Sequence, residues 1–344
     1  MTQPTSETSA ARPGATVHYA DERRTPLLPG RRVAVLGYGS QGRAHAHNLR
    51  DSGIEVRVGL RPDSARLATA REEGFAVTDT GSAASWADVI VVLVPDTLAP
   101  AVFAESVQSN LAPGDALVFA HGFAVHHGLI TAPDDVDVVM VAPKAPGRDV
   151  RASFERGGGC PALVAVAQDA TGAASALALD YADALGATRA GALETTFAEE
   201  TETDLFGEQA VLVGGVTELI RTAFEVLVAA GYQPESAYFE CLHELKLTVD
   251  LIQRHGLAAM TDHISDTAEY GGYSRGPRVI DAHVRASMEA VLDEIRSGGF
   301  ASEWVTEDRD GRPRFRAARA TARAHAIEAV GVSLRRMTDH PATS

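Results

Sequence analysis

Two cysteines in 344 residues, Cys160 and Cys241, are too few for a disulfide framework, and such scarcity fits a reducing, cytoplasmic setting. Basic residues are outnumbered 31 to 46, for a formal net charge of -15. That balance disfavours a nucleic-acid or anionic-membrane partner, and it suits a protein whose acids hold cations. No apolar run reaches the roughly 18 residues of a membrane span. The opening stretch MTQPTSETSAARPGAT lacks the apolar core of a secretory signal, so residues 1–16 are expected to form a disordered tail. What is present is ample apolar material, 45% of the chain, and a length for which two domains are the ordinary expectation.

From Arg31 onward, short β-branched runs alternate with longer alanine-rich stretches. The runs are RRVAVLG (31–37), EVRVGL (55–60), FAVTD (75–79), DVIVVLV (88–94), ALVFA (116–120), DVDVVMVA (135–142) and PALVAV (161–166). Nearly continuous apolar strands separated by helical patterns predict a mostly parallel sheet covered on both faces, a doubly wound α/β domain. The alternation stops near ALETTF (192–197). Beyond it, 211–231, 237–256 and 278–298 all space their apolar residues as helices do, and Gly231 and Gly256 fall where C-caps belong. The second half is therefore predicted to be all-α. Its helices are apolar enough to pack on one another and on a partner chain.

GYGSQG (37–42) follows the strand VAVLG and opens a helix. Gly37 permits the tight turn, Gly39 lets a pyrophosphate approach the backbone, and Gly42 allows close helix packing. The phosphates of a dinucleotide would then lie at the helix N-terminus. An NAD site usually places an acid about 20 residues on, at the end of the second strand. Here GLRPDSAR offers Arg61, Ser64 and Arg66 instead, groups suited to a 2′-phosphate and hence to NADPH. Asp63 in the same loop opposes a phosphate.

Two short segments pair carboxylates four residues apart: ETDLFGE with Asp204 and Glu208, and ECLHELK with Glu240 and Glu244. On a helix this spacing stacks like charges and costs a few tenths of a kcal/mol per pair. One such pair is ordinarily a solvated face. Two, on apolar helices beside a nucleotide domain, are better explained by hard divalent cations that relieve the repulsion.

In order along the chain, GYGSQG, LRPDS, VPD (94–96), AHGF (120–123), VAPKAPG (141–147), ETTFAEETETDLFGEQAVL (194–212), AYFECLHELKL (237–247) and TAEYGGYSRGPRVI (267–280) closely resemble the short-form ketol-acid reductoisomerase family, also called acetohydroxy acid isomeroreductase. The likeness covers roughly residues 17–330. It implies a Rossmann-type N-terminal domain over 17–196, a knotted all-helical dimerising domain over 197–330, and a flexible tail over 331–344. It also implies NADPH and two Mg²⁺ ions. The family isomerises and reduces 2-acetolactate or 2-aceto-2-hydroxybutyrate to a 2,3-dihydroxy-3-alkyl acid, for valine, leucine and isoleucine synthesis. Carried over by position, Asp204 and Glu208 are metal ligands, with Glu208 bridging. Glu240 and Glu244 are the pair that reaches the site from the other subunit of a homodimer or larger assembly. Ser265 matches a serine that binds the substrate carboxylate, and His121, Lys144 and Glu208 match catalytic positions. Besides the three glycines and the Arg61–Arg66 loop, the motifs assign Tyr38, Ser40, Gln41, Pro95, Asp96 and Gly147 to the cofactor.

The sequence also departs from the family. The usual HGFNIHFG reads HGFAVHHG, with Ala124, Val125 and His127; KGPGH reads KAPGR, with Ala145 and Arg148. Around Ser265 the changed positions are Thr261, Asp262, His263, Asp266, Gly272 and Ser274. Added acids beside a carboxylate-binding serine bear on substrate fit, so a specialised-pathway relative acting on a different acetohydroxy acid is one alternative. A plain NAD(P)H 2-keto acid reductase is another, although it would need neither acidic pair. A non-catalytic dimeric binding protein would have lost the ligands, which are all retained.

Overall fold

The structure, a computed structural model, describes residues 14–22 and 25–338, with side chains to residue 335. The chain divides into two compact units between Thr201 and Glu202.

The first unit is built on a nine-stranded sheet: β1 (Val17–His18), β2 (Arg32–Leu36), β3 (Glu55–Gly59), β4 (Ala76–Thr78), β5 (Val89–Val92), β6 (Ala116–Phe119), β7 (Asp137–Pro143), β8 (Ala162–Gln168) and β9 (Ala192–Glu194). Their order across the sheet is β1-β9-β8-β7-β6-β5-β2-β3-β4. All neighbours run parallel except β7 with β8 and β1 with β9. The strand side chains alternate between two cores, as the two-residue period of a strand requires. Val33, Val35, Val89, Val91 and Val139 join one core, together with helices Ser40–Asp51 and Ala174–Ala184. Ala34, Leu36, Ile90, Val92 and Met140 join the other, with the Thr80–Trp86 helix. Burial on both faces is why these strands read as unbroken apolar runs. β1 and β9 carried no such signal: with two and three residues they are held by the register Val17↔Leu193 rather than by composition.

Among its described residues the second unit has helices and connecting turns but no strand. Its helices include Gly214–Ala229, Leu245–His255, Asp266–Val279, Ala282–Arg296 and Ala326–Thr338. Asp281 caps the fourth of these by accepting from the His283 and Val284 N–H groups, and Gly256, at φ 87°, ends the second. Both acidic pairs lie at π-helical turns. Glu208 opens the turn Glu208–Leu212, and Glu240 sits within Phe239–His243 with Glu244 next after it. Such wide turns occur often at functional sites. A buried cluster gathers Phe224, Ala237, Tyr238, Ile327 and Leu334. This corrects the expectation of a tail from residue 331. Leu334 packs into that cluster, so the last helix continues to Thr338, while 339–344, like residues 1–13, lie outside the described residues. No helix among the described residues is long and apolar enough to cross a membrane.

His45, on the Ser40–Asp51 helix, is fully buried and its Nδ1 lies 2.9 Å from the Tyr181 hydroxyl. Burial lowers its pKa from 6.5 to about 3. Between those values the unfolded chain takes up a proton that the folded chain refuses, so His45 costs stability as pH falls, by roughly 1.4 kcal/mol per pH unit. His45→Leu should therefore lower the melting temperature at pH 7.5, because the Tyr181 hydroxyl loses its partner. It should also flatten the decline between pH 6.5 and 4.5; parallel melting curves for the two proteins across that range would refute the assignment.

Candidate functional site

The turn after β2 is shaped by contacts that exclude side chains. Gly37 has φ 101°, and a Cβ there would meet the Leu93 carbonyl oxygen at 2.5 Å; one on Gly42 would meet the Gly37 carbonyl oxygen at 2.3 Å. Over Gly39, the N-cap of the Ser40–Asp51 helix, nothing lies within 4 Å of a Cβ position. That open face, beside the first-turn N–H groups that no helical carbonyl can reach, is shaped for an anion. Tyr38 is different. Its ring is buried against Phe75 and its hydroxyl donates to Glu73, so only its backbone is available to a phosphate.

A second loop closes on the first. Gly147 starts the Gly147–Glu155 helix, and a Cβ there would meet the Ser40 carbonyl oxygen at 2.1 Å. Gln41 Nε2 donates to the Ala145 carbonyl at 2.9 Å. Ala145 thus contributes through its backbone, while Arg148 extends into solvent with its Nε 3.7 Å from Asp149. Past β3, Arg61 and Arg66 are exposed, and Ser64 Oγ accepts from the Arg66 N–H at 3.3 Å. Arg61 Nε stands 3.6 Å from Asp63, the acid of the same loop. Pro95 and Asp96 follow β5 in the turn that leads to Leu98.

A buried carboxylate with lysine and histidine partners lies where β6 and β7 end. Glu200, 1% exposed, accepts from the Lys144 ammonium at 2.8 Å through Oε1. Its Oε2 takes the Gly122 N–H at 2.9 Å and stands 3.0 Å from His121 Nδ1. Burial alone would raise this carboxyl's pKa, but His121 and Lys144 outweigh it and hold the value at about 2. An ionised carboxylate only accepts, so His121 carries a proton on Nδ1, and Nε2 is the nitrogen able to gain or lose one. Gly122 has to be glycine: a Cβ would meet Thr201 Oγ1 at 2.3 Å and the Phe197 carbonyl oxygen at 2.8 Å. Sequence reasoning missed Glu200. Its signal was present, because Glu200, Asp204 and Glu208 continue one four-residue spacing down a single segment.

Asp204 is half-buried one turn beyond Glu200 on the Phe197–Gly207 helix, whereas Glu208, Glu240 and Glu244 are exposed. None of these four carboxylates is fully buried within one chain. Among the described residues the four do not converge as a common ligand set. Ser265 caps the Asp266–Val279 helix, its Oγ accepting from the Ala268 N–H at 3.2 Å. Asp266 therefore occupies a first helical turn, where a negative charge is favourable. The rings of His255 and His263 lie 4.1 Å apart just before it. Ala124 is a core position packed with Phe119 and Ile130.

An open glycine turn, a lysine and a histidine on one buried carboxylate, and a parallel sheet whose strand ends carry them are the frame of a dinucleotide-dependent oxidoreductase. Residues 27–191 match the family described as acetohydroxy acid isomeroreductase, NADPH-binding domain, and residues 197–340 the one described as ketol-acid reductoisomerase, C-terminal domain. The chain belongs to the ketol-acid reductoisomerase family. It is 56% identical to the NADP(+) ketol-acid reductoisomerase of Saccharopolyspora erythraea over 319 residues, covering 93% of this chain and 96% of that one. With the enzyme of the same name from an Arthrobacter species it shares 53% over 317 residues, covering 92% and 93%. A solved NADH-preferring ketol-acid reductoisomerase from an uncultured archean superposes with a TM-score of 0.90 at 43% identity, covering 93% of this chain and 98% of that one.

Replacing Glu200 by Gln removes the charge that holds both Lys144 and His121. The kcat for isomeroreductase turnover is expected to fall about a hundredfold, with the dissociation constant for the reduced dinucleotide changed less than twofold. Steady-state kinetics with a cofactor titration would check both; unchanged kcat would remove Glu200 from the machinery.

Proposed function

We propose that this protein converts 2-acetolactate or 2-aceto-2-hydroxybutyrate into a 2,3-dihydroxy-3-alkyl acid, by alkyl migration and then reduction with NADPH, in branched-chain amino acid synthesis. The observation that carries this reading is the joint match to both family domains in a chain whose Glu200 unites His121 and Lys144. NADPH fits the open face over Gly39 and the Arg61–Arg66 loop. Mg²⁺ fits the oxygen-only donor set of Asp204 and Glu208, because Glu200, one turn earlier, is already held by three donors.

When bound, two Mg²⁺ ions polarise the substrate's ketone and hydroxyl oxygens, and NADPH supplies the hydride. The chain's own groups do the rest. The Lys144 ammonium, fixed by Glu200, sets positive charge where oxygen charge builds up. His121 holds or moves a proton at Nε2, its ring orientation fixed through Nδ1. Ser265 Oγ already accepts from Ala268, so its hydroxyl hydrogen is the group to donate to a substrate carboxylate.

The functional unit in this reading is a homodimer of knotted helical domains, with Glu240 and Glu244 supplied by a second copy. Two features support it: among the described residues no three of the four carboxylates gather within one chain, and the helical unit exposes large apolar side chains. Leu212 is 69% exposed and Leu257 80%, with Val226, Leu247, Tyr270 and Ile280 also exposed. Patches of that kind mark interaction surfaces.

Glu208→Gln is expected to abolish alkyl migration while leaving NADPH affinity nearly intact, and chelation should silence the wild type until Mg²⁺ is restored. Turnover by metal-free enzyme would overturn the metal assignment. For the cofactor, Arg61→Ala should weaken NADPH by roughly tenfold, the value of one charge-assisted contact, and leave NADH unaffected. Wild-type kinetics favouring NADH would reverse the reading of this loop, with Asp63 then the deciding residue.

A further inference from the structure

The Leu67–Glu72 helix follows the Arg61–Arg66 loop directly. It is six residues long and only Ala70 is fully buried, with Leu67 partly so, so hydrophobic burial gives it a weak seat. Glu73, its C-cap, supplies the attachment. One carboxylate takes the Tyr38 hydroxyl, Arg43 Nη2 at 2.7 Å and His47 Nε2 at 2.9 Å. Tyr38 belongs to the glycine turn, and Arg43 and His47 to the helix that the turn opens. Behind this layer, Arg50 donates to the Glu73 carbonyl at 2.7 Å and to His47 Nδ1 at 3.0 Å, with its guanidinium 4.3 Å from the Phe75 ring centre. Arg50 can only donate, so His47 accepts through Nδ1 and donates its Nε2 proton to Glu73.

We infer that Glu73 is a positioning residue for the dinucleotide: by tying the glycine turn and its helix to the end of the Leu67–Glu72 helix, its carboxylate fixes the spacing between the pyrophosphate cradle and the loop that meets the 2′-phosphate. Glu73 touches neither phosphate and acts through Tyr38, Arg43 and His47. Its removal loosens one phosphate grip relative to the other. NADPH uses both grips and NADH only the first, so the loss falls on NADPH and on the discrimination between the two. The inference rests on the NADPH reading of the Arg61–Arg66 loop.

The test uses Glu73→Gln and Tyr38→Phe in the full chain. The Arg50 bond to the Glu73 backbone and the Phe75 packing remain in both, and melting curves register any loss of fold. Dissociation constants are read from the fluorescence of the reduced dinucleotide with no acetohydroxy acid present, so failure of the proposed reaction would show separately, as absent turnover with normal cofactor binding. Glu73→Gln should weaken NADPH about tenfold and NADH less than twofold, and Tyr38→Phe should weaken NADPH about threefold. With saturating NADPH, kcat of Glu73→Gln should stay within twofold of wild type. Equal weakening of both cofactors, no weakening in either variant, or a fall in kcat at unchanged affinity would overturn the inference. A wild type that binds NADH more tightly would overturn the cofactor reading and this inference with it.

Discussion

A carboxylate withdrawn from water must have its charge and its lone pairs answered, and Glu200 meets that demand with three partners from two strand ends. His121 and Gly122 follow β6, Lys144 follows β7, and the carboxylate comes from the first turns of a helix reached some eighty residues after His121. None of the three attachments is local in sequence. The histidine's proton-bearing nitrogen, the lysine's position and the closeness of the Phe197 turn to Gly122 all meet at this one group. Any account of the chemistry at the strand ends starts from its ionisation.

Much of the α/β unit was legible because physics wrote it into composition. A strand buried on both faces has to be apolar at nearly every position, and Val89–Val92 and Asp137–Pro143 announce themselves that way. The glycine turn was equally plain, since backbone contacts at Gly37 and Gly42 leave no room for a side chain. β1 and β9 were invisible because hydrogen bonding to a neighbour, rather than residue type, makes strands of two or three residues. Glu200 escaped notice for a related reason: an acid in an acid-rich stretch looks solvated until the lysine and histidine that neutralise it are found far away. The helix after residue 331 looked like a tail because Leu334 and Ile327 gain their meaning only against Tyr238 and Phe224.

The helical unit is harder to read, for a different cause. Its helices obey the 3.6-residue period, but that period says only that an apolar face exists, not what covers it. In one chain much of that face is open, and the acidic side chains at 208, 240 and 244 are open with it. Tyr38 gives the converse lesson in the other unit. A residue inside a nucleotide motif sends its ring into the core, where Glu73 meets it, and leaves only backbone for the ligand.

The π-helical turns at Glu208–Leu212 and Phe239–His243 have a consequence for how these segments tolerate change. A π-turn is an α-helix with one residue too many in a single turn, and each helical residue advances the direction of everything after it by about 100°. Removing one residue from either turn would let the helix relax to regular hydrogen bonding, and would swing the downstream side chains to another face. Side-chain identity can vary there with modest effect on direction, but length cannot. At Phe239–His243 the count of residues, more than their kind, aims Glu244 relative to Glu240, and at Glu208–Leu212 it aims the helix that follows.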